Sequence, residues 1–218
     1  MYFASRLQAG RMLAAQLVPK YRYENCAVVA LDDGGVMVGA QIASALHCVL
    51  MMMLSAPIEL PREPEAIAGV TSGGNLTYNS QYSEGEIEEF TGEYRGLIDQ
   101  EKLSGLHEIN RLLGGGGLIE SHLLKGHNVI VVSDGLKSGF PIDMAADFLK
   151  PIAIEKLVVA TPLASVQAVD RMHIIANDIY CLDVVAEYIN TDHYYEKQDV
   201  PDHEKAAKII ERIILNWK

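Results

Sequence analysis

The chain has 218 residues, 49% of them hydrophobic and 22% charged, with a net charge of −11. That length bounds one large domain, or one domain with a small appendage, and the composition is that of a folded globular protein rather than a disordered one. The acidic balance and the lack of a basic run argue against a nucleic-acid surface, and an anionic substrate would need local cations or an accompanying Mg²⁺.

Residues 2–18 place Phe3, Leu7, Ala14 and Leu17 on one face with Leu13 beside them, which predicts a helix. The segment is amphipathic and does not read as a secretory signal. Cys26 to Leu31 reads as a buried strand that ends at Asp32-Asp33-Gly34-Gly35. A helix from Val36 to Leu46 and a strand from His47 to Leu54 follow. Strand, loop, helix and strand in that order predict a parallel sheet with right-handed crossovers. The longest apolar run, Cys48 to Leu54, is too short to span a bilayer, and Met51, Met52 and Met53 within it read as strand core or interface packing.

Residues 55–83 are rich in Pro, Gly, Ser and Asn and read as a flap with short strands at Ala66 to Thr71 and Leu76 to Asn79. Residues 84–113 have the spacing of a long charged helix that Gly92, Gly96 and Gly105 could break. The run Gly114 to Gly117 reads as a linker. A second strand–loop–helix unit joins Asn128 to Val132 with Ile142 to Leu149. Then come a strand at Lys156 to Thr161, a helix at Ser165 to Met172, a strand at Ile179 to Leu182 and an irregular tail over 183–200. An amphipathic helix over 202–216 carries Ile209, Ile210, Ile213 and Ile214, a face suited to the core or to a second subunit. The expected fold is a single α/β domain over residues 1–218: a mostly parallel, Rossmann-like sheet with helices on both faces, a flap at about 55–83 and a C-terminal hood and helix at about 183–218.

Cys26, Cys48 and Cys181 are far apart and odd in number, with no CxxC, so no disulfide framework or zinc site is indicated and a reducing cytoplasm is expected. The seven histidines include no HExxH or HxH pair. The chemistry points instead to Val129–Pro141, VIVVSDGLKSGFP, in which four β-branched residues run into a Gly-rich loop and then a helix. A helix start offers unpaired N–H groups and the positive end of its dipole to a phosphate. Asp134 sits at the strand's carboxyl end, where open α/β sheets place ligands, although it could instead cap the loop. Asp32 to Gly35 could be only a tight strand-to-helix turn, or hold a metal.

Five segments occur in one order: FASRLQAGRMLAAQL, LDDGGVMVGAQIASAL, PEAIAGV, VIVVSDGLKSGFP, and IYCLD with HYYEKQDVPDHE. In that order they resemble the type I phosphoribosyltransferase family, more narrowly its predicted bacterial group. The resemblance implies binding of 5-phosphoribosyl-1-pyrophosphate with Mg²⁺, and displacement of pyrophosphate at the anomeric carbon by a nitrogen nucleophile such as a nucleobase. It implies a ribose and 5-phosphate site at Ser133, Asp134, Gly135, Leu136, Lys137, Ser138 and Gly139, with Asp134 on the ribose hydroxyls and Lys137 to Gly139 around the phosphate. It implies a pyrophosphate loop at Asp33, Gly34 and Gly35, and a base edge near Tyr194 and Tyr195, whose rings could stack a base or pack beneath the last helix. It assigns no catalytic residue and no protein metal site.

The chain departs from the family pattern where the ligand would lie. Ser133 stands for the first of two acids, Pro141 for a threonine, Phe140 for a small residue and Asp33 for an arginine, and the family's Arg-Lys pair is absent near Leu54-Ser55. Lys137 adds a cation to the phosphate loop. The expected partner is a small phosphoribosyl or nucleotide ligand, with no nucleic acid, no membrane and a homodimer left open. The alternative is a non-catalytic relative that binds a nucleotide or phosphate, or an interaction subunit.

Overall fold

The structure, a computed structural model, describes residues 2–113 and 121–215. Its centre is a five-stranded sheet of β1 (Cys26–Ala30), β2 (Val49–Met52), β6 (Asn128–Val132), β7 (Lys156–Ser165) and β8 (Asp178–Val185), in the order β2-β1-β6-β7-β8 with every neighbouring pair parallel. β-branched and other apolar runs buried on both faces suit such strands. Alternate residues part to opposite sides. Val28, Ala30, Leu50, Ile130, Val132 and Val158 meet α1 (Arg6–Tyr21), α2 (Asp33–Leu46) and α7 (His203–Leu215). Val29, Met51, Met53, Val129, Val131 and Val159 meet α5 (Phe140–Leu149) and α6 (Val166–Ile175). The expected α/β architecture with helices on both faces is therefore the observed one.

The element boundaries differ from the expected ones for local reasons. α1 starts at Arg6, later than expected, because the Ser5 hydroxyl caps it by accepting from Gln8 N–H. Phe3, before the cap, pairs instead with Tyr195. α2 starts at Asp33 because the Asp32 side chain caps it, so Gly34 and Gly35 belong to a helical first turn rather than a loop. It ends at His47, which adopts the left-handed conformation (φ 56°). The long charged segment is two helices, α3 (Glu84–Glu93), opened by a Ser83–Glu86 capping box, and α4 (Arg95–Leu113), broken at Tyr94 between Gly92 and Gly96. The linker expected at Gly114 to Gly117 lies outside the described residues.

The flap is larger than a hairpin. β3 (Ser55–Ile58), which Pro57 disguised as loop, joins β4 (Ala68–Thr71) and β5 (Leu76–Tyr78) in an antiparallel sheet. α4 packs on that sheet around Ile58, Ile67, Val70, Ile98 and Ile109. A Cβ at Gly105 would lie 2.8 Å from the Ala56 Cβ, so the glycine sets how closely α4 approaches β3. Phe140 and Met144 of α5 press against Gly69 of β4, which explains the bulk of Phe140. Among the described residues no helix is long and apolar enough to cross a membrane.

Candidate functional site

Connections leave β1 toward β2 on one side and β6 toward β7 on the other, so the sheet order reverses between β1 and β6. Open α/β sheets form a crevice outside the strand ends at such a switch point. Here the residues following the two strands are Asp32 and Ser133-Asp134. A cleft of about 490 Å³ opens above them, floored by Asp32, Asp33, Gly34, Asp134 and Gly135 and roofed by Asn190 to Asp192 and Val200.

The glycines let the first turn of α2 come close to the end of β6. A Cβ on Gly34 would stand only 2.1 Å from the Asp134 Oδ2, and one on Gly35 2.7 Å from the Val132 carbonyl oxygen. Asp32 then joins the two strand ends. Its Oδ1 accepts from Gly35 N–H at 2.5 Å, and its Oδ2 accepts from the Ser133 hydroxyl at 2.9 Å. The serine that stands for an acid thus hydrogen-bonds a carboxylate contributed by the neighbouring strand.

Asp134 is tied down more firmly. Arg6 Nε donates to its Oδ2 at 2.5 Å, and the Tyr195 hydroxyl donates to its backbone oxygen at 2.6 Å. Arg6 is 1% exposed. It also donates through Nη2 to Asp192 at 2.5 Å and through Nη1 to Asp199 at 3.2 Å, with its guanidinium 4.4 Å from the Tyr195 ring centroid. A planar fork can serve several carboxylates at once in this way. Burial works to lower the Arg6 pKa, but the Asp134 charge and the three hydrogen bonds raise it above its ordinary value.

Four carboxylates, Asp32, Asp33, Asp134 and Asp192, line the cleft beside this one guanidinium. Desolvation among the packed strand ends, and then the Asp134 charge, push the Asp32 carboxyl above the usual carboxylate range, although the residue is exposed at the cleft mouth, where solvent screens such a shift. Burial pushes Asp134 the same way, while Arg6 pulls it back. Asp33 turns to α7, where His203 Nδ1 lies 3.3 Å from its Oδ1.

The loop after Asp134 is anchored at its start and, although Arg171 covers Gly139, keeps unpartnered N–H groups at its end. Leu136 is 1% exposed, its N–H donating to Leu163 O and its carbonyl accepting from Ser165 N–H, so it fixes the loop to β7 instead of facing the cleft. The Ser165 hydroxyl holds the Lys137 carbonyl at 2.7 Å. Beyond it, the N–H groups of Lys137, Ser138, Gly139 and Phe140 meet no acceptor among the described residues, and α5 has no side-chain cap. Pro141 fits the first turn of α5. The Lys137 ammonium donates to Glu65 Oε1 of the flap at 2.6 Å.

Tyr194 and Tyr195, expected at a base edge or packed beneath the last helix, lie packed within the hood. They are 6% and 4% exposed and pack with Phe3, Ala9 and Leu163, so neither offers a free ring face, and the cleft roof is Asn190 to Asp192 instead. Sequence reasoning also missed Arg6, Asp192 and Asp199. Arg6 is separated from Asp134 by 128 residues and from Asp199 by 193, so no local spacing links them. Asp32 carried a signal, an acid directly after a buried strand.

The family model for the phosphoribosyl transferase domain matches residues 3–205. Two Mycobacterium tuberculosis proteins (strains CDC 1551 and H37Rv), described only provisionally as phosphoribosyl transferases, are 23% identical to this chain over 212 residues, covering 96% of it and 46% of their own length. The chain therefore spans about half the length of these curated relatives. The crystal structure of TT1426 from Thermus thermophilus superposes with a TM-score of 0.74 at 26% identity, covering 100% of this chain and 99% of that one. The AQ2163 protein of Aquifex aeolicus shares the fold at a TM-score of 0.50 and 10% identity, covering 94% and 85%.

Proposed function

The chain belongs to the phosphoribosyl transferase domain family, and on that premise we propose that its switch-point cleft binds 5-phosphoribosyl-1-pyrophosphate and presents the anomeric carbon to a nitrogen nucleophile. The observation that carries this reading is the juxtaposition of Asp32 and Asp134 on the cleft floor, with Ser133 bonding the Asp32 carboxylate and the Asp134 charge raising it. The family pattern has two adjacent acids for the ribose hydroxyls. Here one acid remains after β6 and the second is supplied from the segment after β1. The unpaired N–H groups of Lys137 to Phe140, with the Lys137 ammonium once it leaves Glu65, are the donors for the 5-phosphate. The first turn of α2 at Asp33, Gly34 and Gly35 faces the pyrophosphate, with His203 beside the Asp33 charge.

Among the described residues no group of three His, Cys, Asp or Glu is arranged to hold a metal by itself. The hard carboxylate oxygens of Asp32 and Asp134 nevertheless suit a Mg²⁺ that arrives on the diphosphate with its own waters. The ion's contribution is to neutralise pyrophosphate charge in this acidic cleft. In the reaction the nucleophile's nitrogen bonds to the anomeric carbon as the carbon–oxygen bond breaks, and the electron pair leaves with pyrophosphate. Positive charge that develops on the ribose would face the Asp32 and Asp134 carboxylates, and the cleft's rigid floor would fix the attack geometry.

Calorimetric titration with phosphoribosyl pyrophosphate and Mg²⁺ tests the reading. Micromolar binding that Asp134→Asn and Lys137→Ala each weaken is expected; no heat at millimolar ligand would overturn it. A second reading, a non-catalytic nucleotide or phosphate binder, is favoured by one observation: Arg6 already occupies the Asp134 carboxylate that the ribose would need. Ligand binding without pyrophosphate release against any nucleobase would select that reading.

A further inference from the structure

Beside the acidic cleft, and sharing Val200 with it, lies a second cavity of about 490 Å³. Met37 of α2, Val200 and Pro201 of the hood and Ile209 of α7 form its apolar walls. Lys205, Lys208 and Arg212, at helical spacing along one side of α7, form its rim. In a chain of net charge −11 this is a local reversal of sign. Asp202 holds Lys205 at 2.7 Å, while Lys208 and Arg212 are solvent-exposed. The carboxylate in the lining, Asp199, is bonded to Arg6, and the other anions of the helix, Glu204 and Glu211, do not line the cavity.

We propose that this cavity is a binding site for a small aromatic carboxylate, its ring on the Met37, Val200, Pro201 and Ile209 surface and its carboxylate on Lys208 and Arg212. The apolar walls disfavour a polyphosphate, and the cationic rim selects a charged ring over a neutral one. Because Val200 lines both cavities, the occupant abuts the phosphoribosyl cleft, the position of the acceptor in the reaction proposed above. That role rests on the reading of the cleft; the binding itself does not.

The probes are benzoate and 2-naphthoate, each against its amide, titrated into the full chain by NMR. At least one acid is expected to bind about tenfold more tightly than its amide, the discrimination one charge-assisted contact supplies. That preference is expected to vanish in Lys208→Ala/Arg212→Ala, whose fold both exposed positions should leave intact, as a melting curve would confirm. Equal binding of acid and amide, acid binding that survives the double change, or no acid binding at tens of millimolar would overturn the site. A dimer seen by sedimentation that Arg212→Glu dissolves, with no acid bound, would also overturn it and assign the face to a second copy. Aromatic carboxylate binding without phosphoribosyl pyrophosphate binding would leave this site standing and remove only the reading of the cleft.

Discussion

Asp32 pays for its position in charge. Its folded-state carboxyl is raised by crowding and by Asp134. Between the ordinary carboxylate range and that raised value the folded chain keeps a proton the unfolded chain has released, so this group's contribution to stability falls as pH rises through the window. Asp32→Asn keeps the cap on α2 and cannot ionise. It is expected to melt higher than the wild type at pH 8 and to show no such gain at pH 4; an equal gain at both would refute the assignment. Arg6→Ala should be far more damaging, because it leaves the Asp134 charge buried without its partner. A loss of about 3–5 kcal/mol in urea unfolding is expected, with Arg6→Lys intermediate because an ammonium cannot serve three carboxylates in a plane. Gly34→Ala would put a methyl into Asp134 and should cost about 1–3 kcal/mol while disturbing the same contact.

At the scale of elements, α1 is fixed to the sheet edge at its far end as well. Lys20 and Tyr21 both donate to Asp178 of β8, at 2.6 and 2.5 Å, and these bonds hold its carboxyl below the usual range. A lowered carboxyl contributes stability at neutral pH and loses it as pH falls through the folded-state value. Asp178→Asn should therefore be less stable than the wild type at pH 7, with the difference closing as the pH falls through and below the ordinary carboxylate range; a constant difference would place the effect elsewhere. β1 and β6 were legible because a run of buried apolar residues needs no partner to be recognised. β3 was not, since a proline in a run of four residues looks like loop until β4 pairs with it. The start of α2 was misplaced because two glycines suggest a turn, whereas the Asp32 cap and the close approach to β6 keep them helical. The Lys137–Glu65 pair spans the loop and the flap. Lys137→Ala should change stability by less than about 1 kcal/mol, since the lysine is exposed, yet weaken phosphate binding about tenfold or more.

Taken whole, the molecule brings together charges that the sequence keeps far apart. The strand-end acid Asp134, the glycines of α2 and the cation at Lys137 were legible because each follows a buried strand. The Arg6 network was not, because its members come from α1, the end of β6 and two points in the hood, and only the folded sheet makes them neighbours. The same holds for the cationic rim on α7, which appears only when helical spacing aligns Lys205, Lys208 and Arg212. The cleft at the reversal of strand order is the centre of the account. Amide NMR of the labelled chain, titrated with phosphoribosyl pyrophosphate and Mg²⁺, tests it most directly. Shifts concentrated at Gly34, Gly35 and Gly135 to Gly139 are expected; shifts confined to other parts of the molecule, with these glycines unmoved, would contradict it.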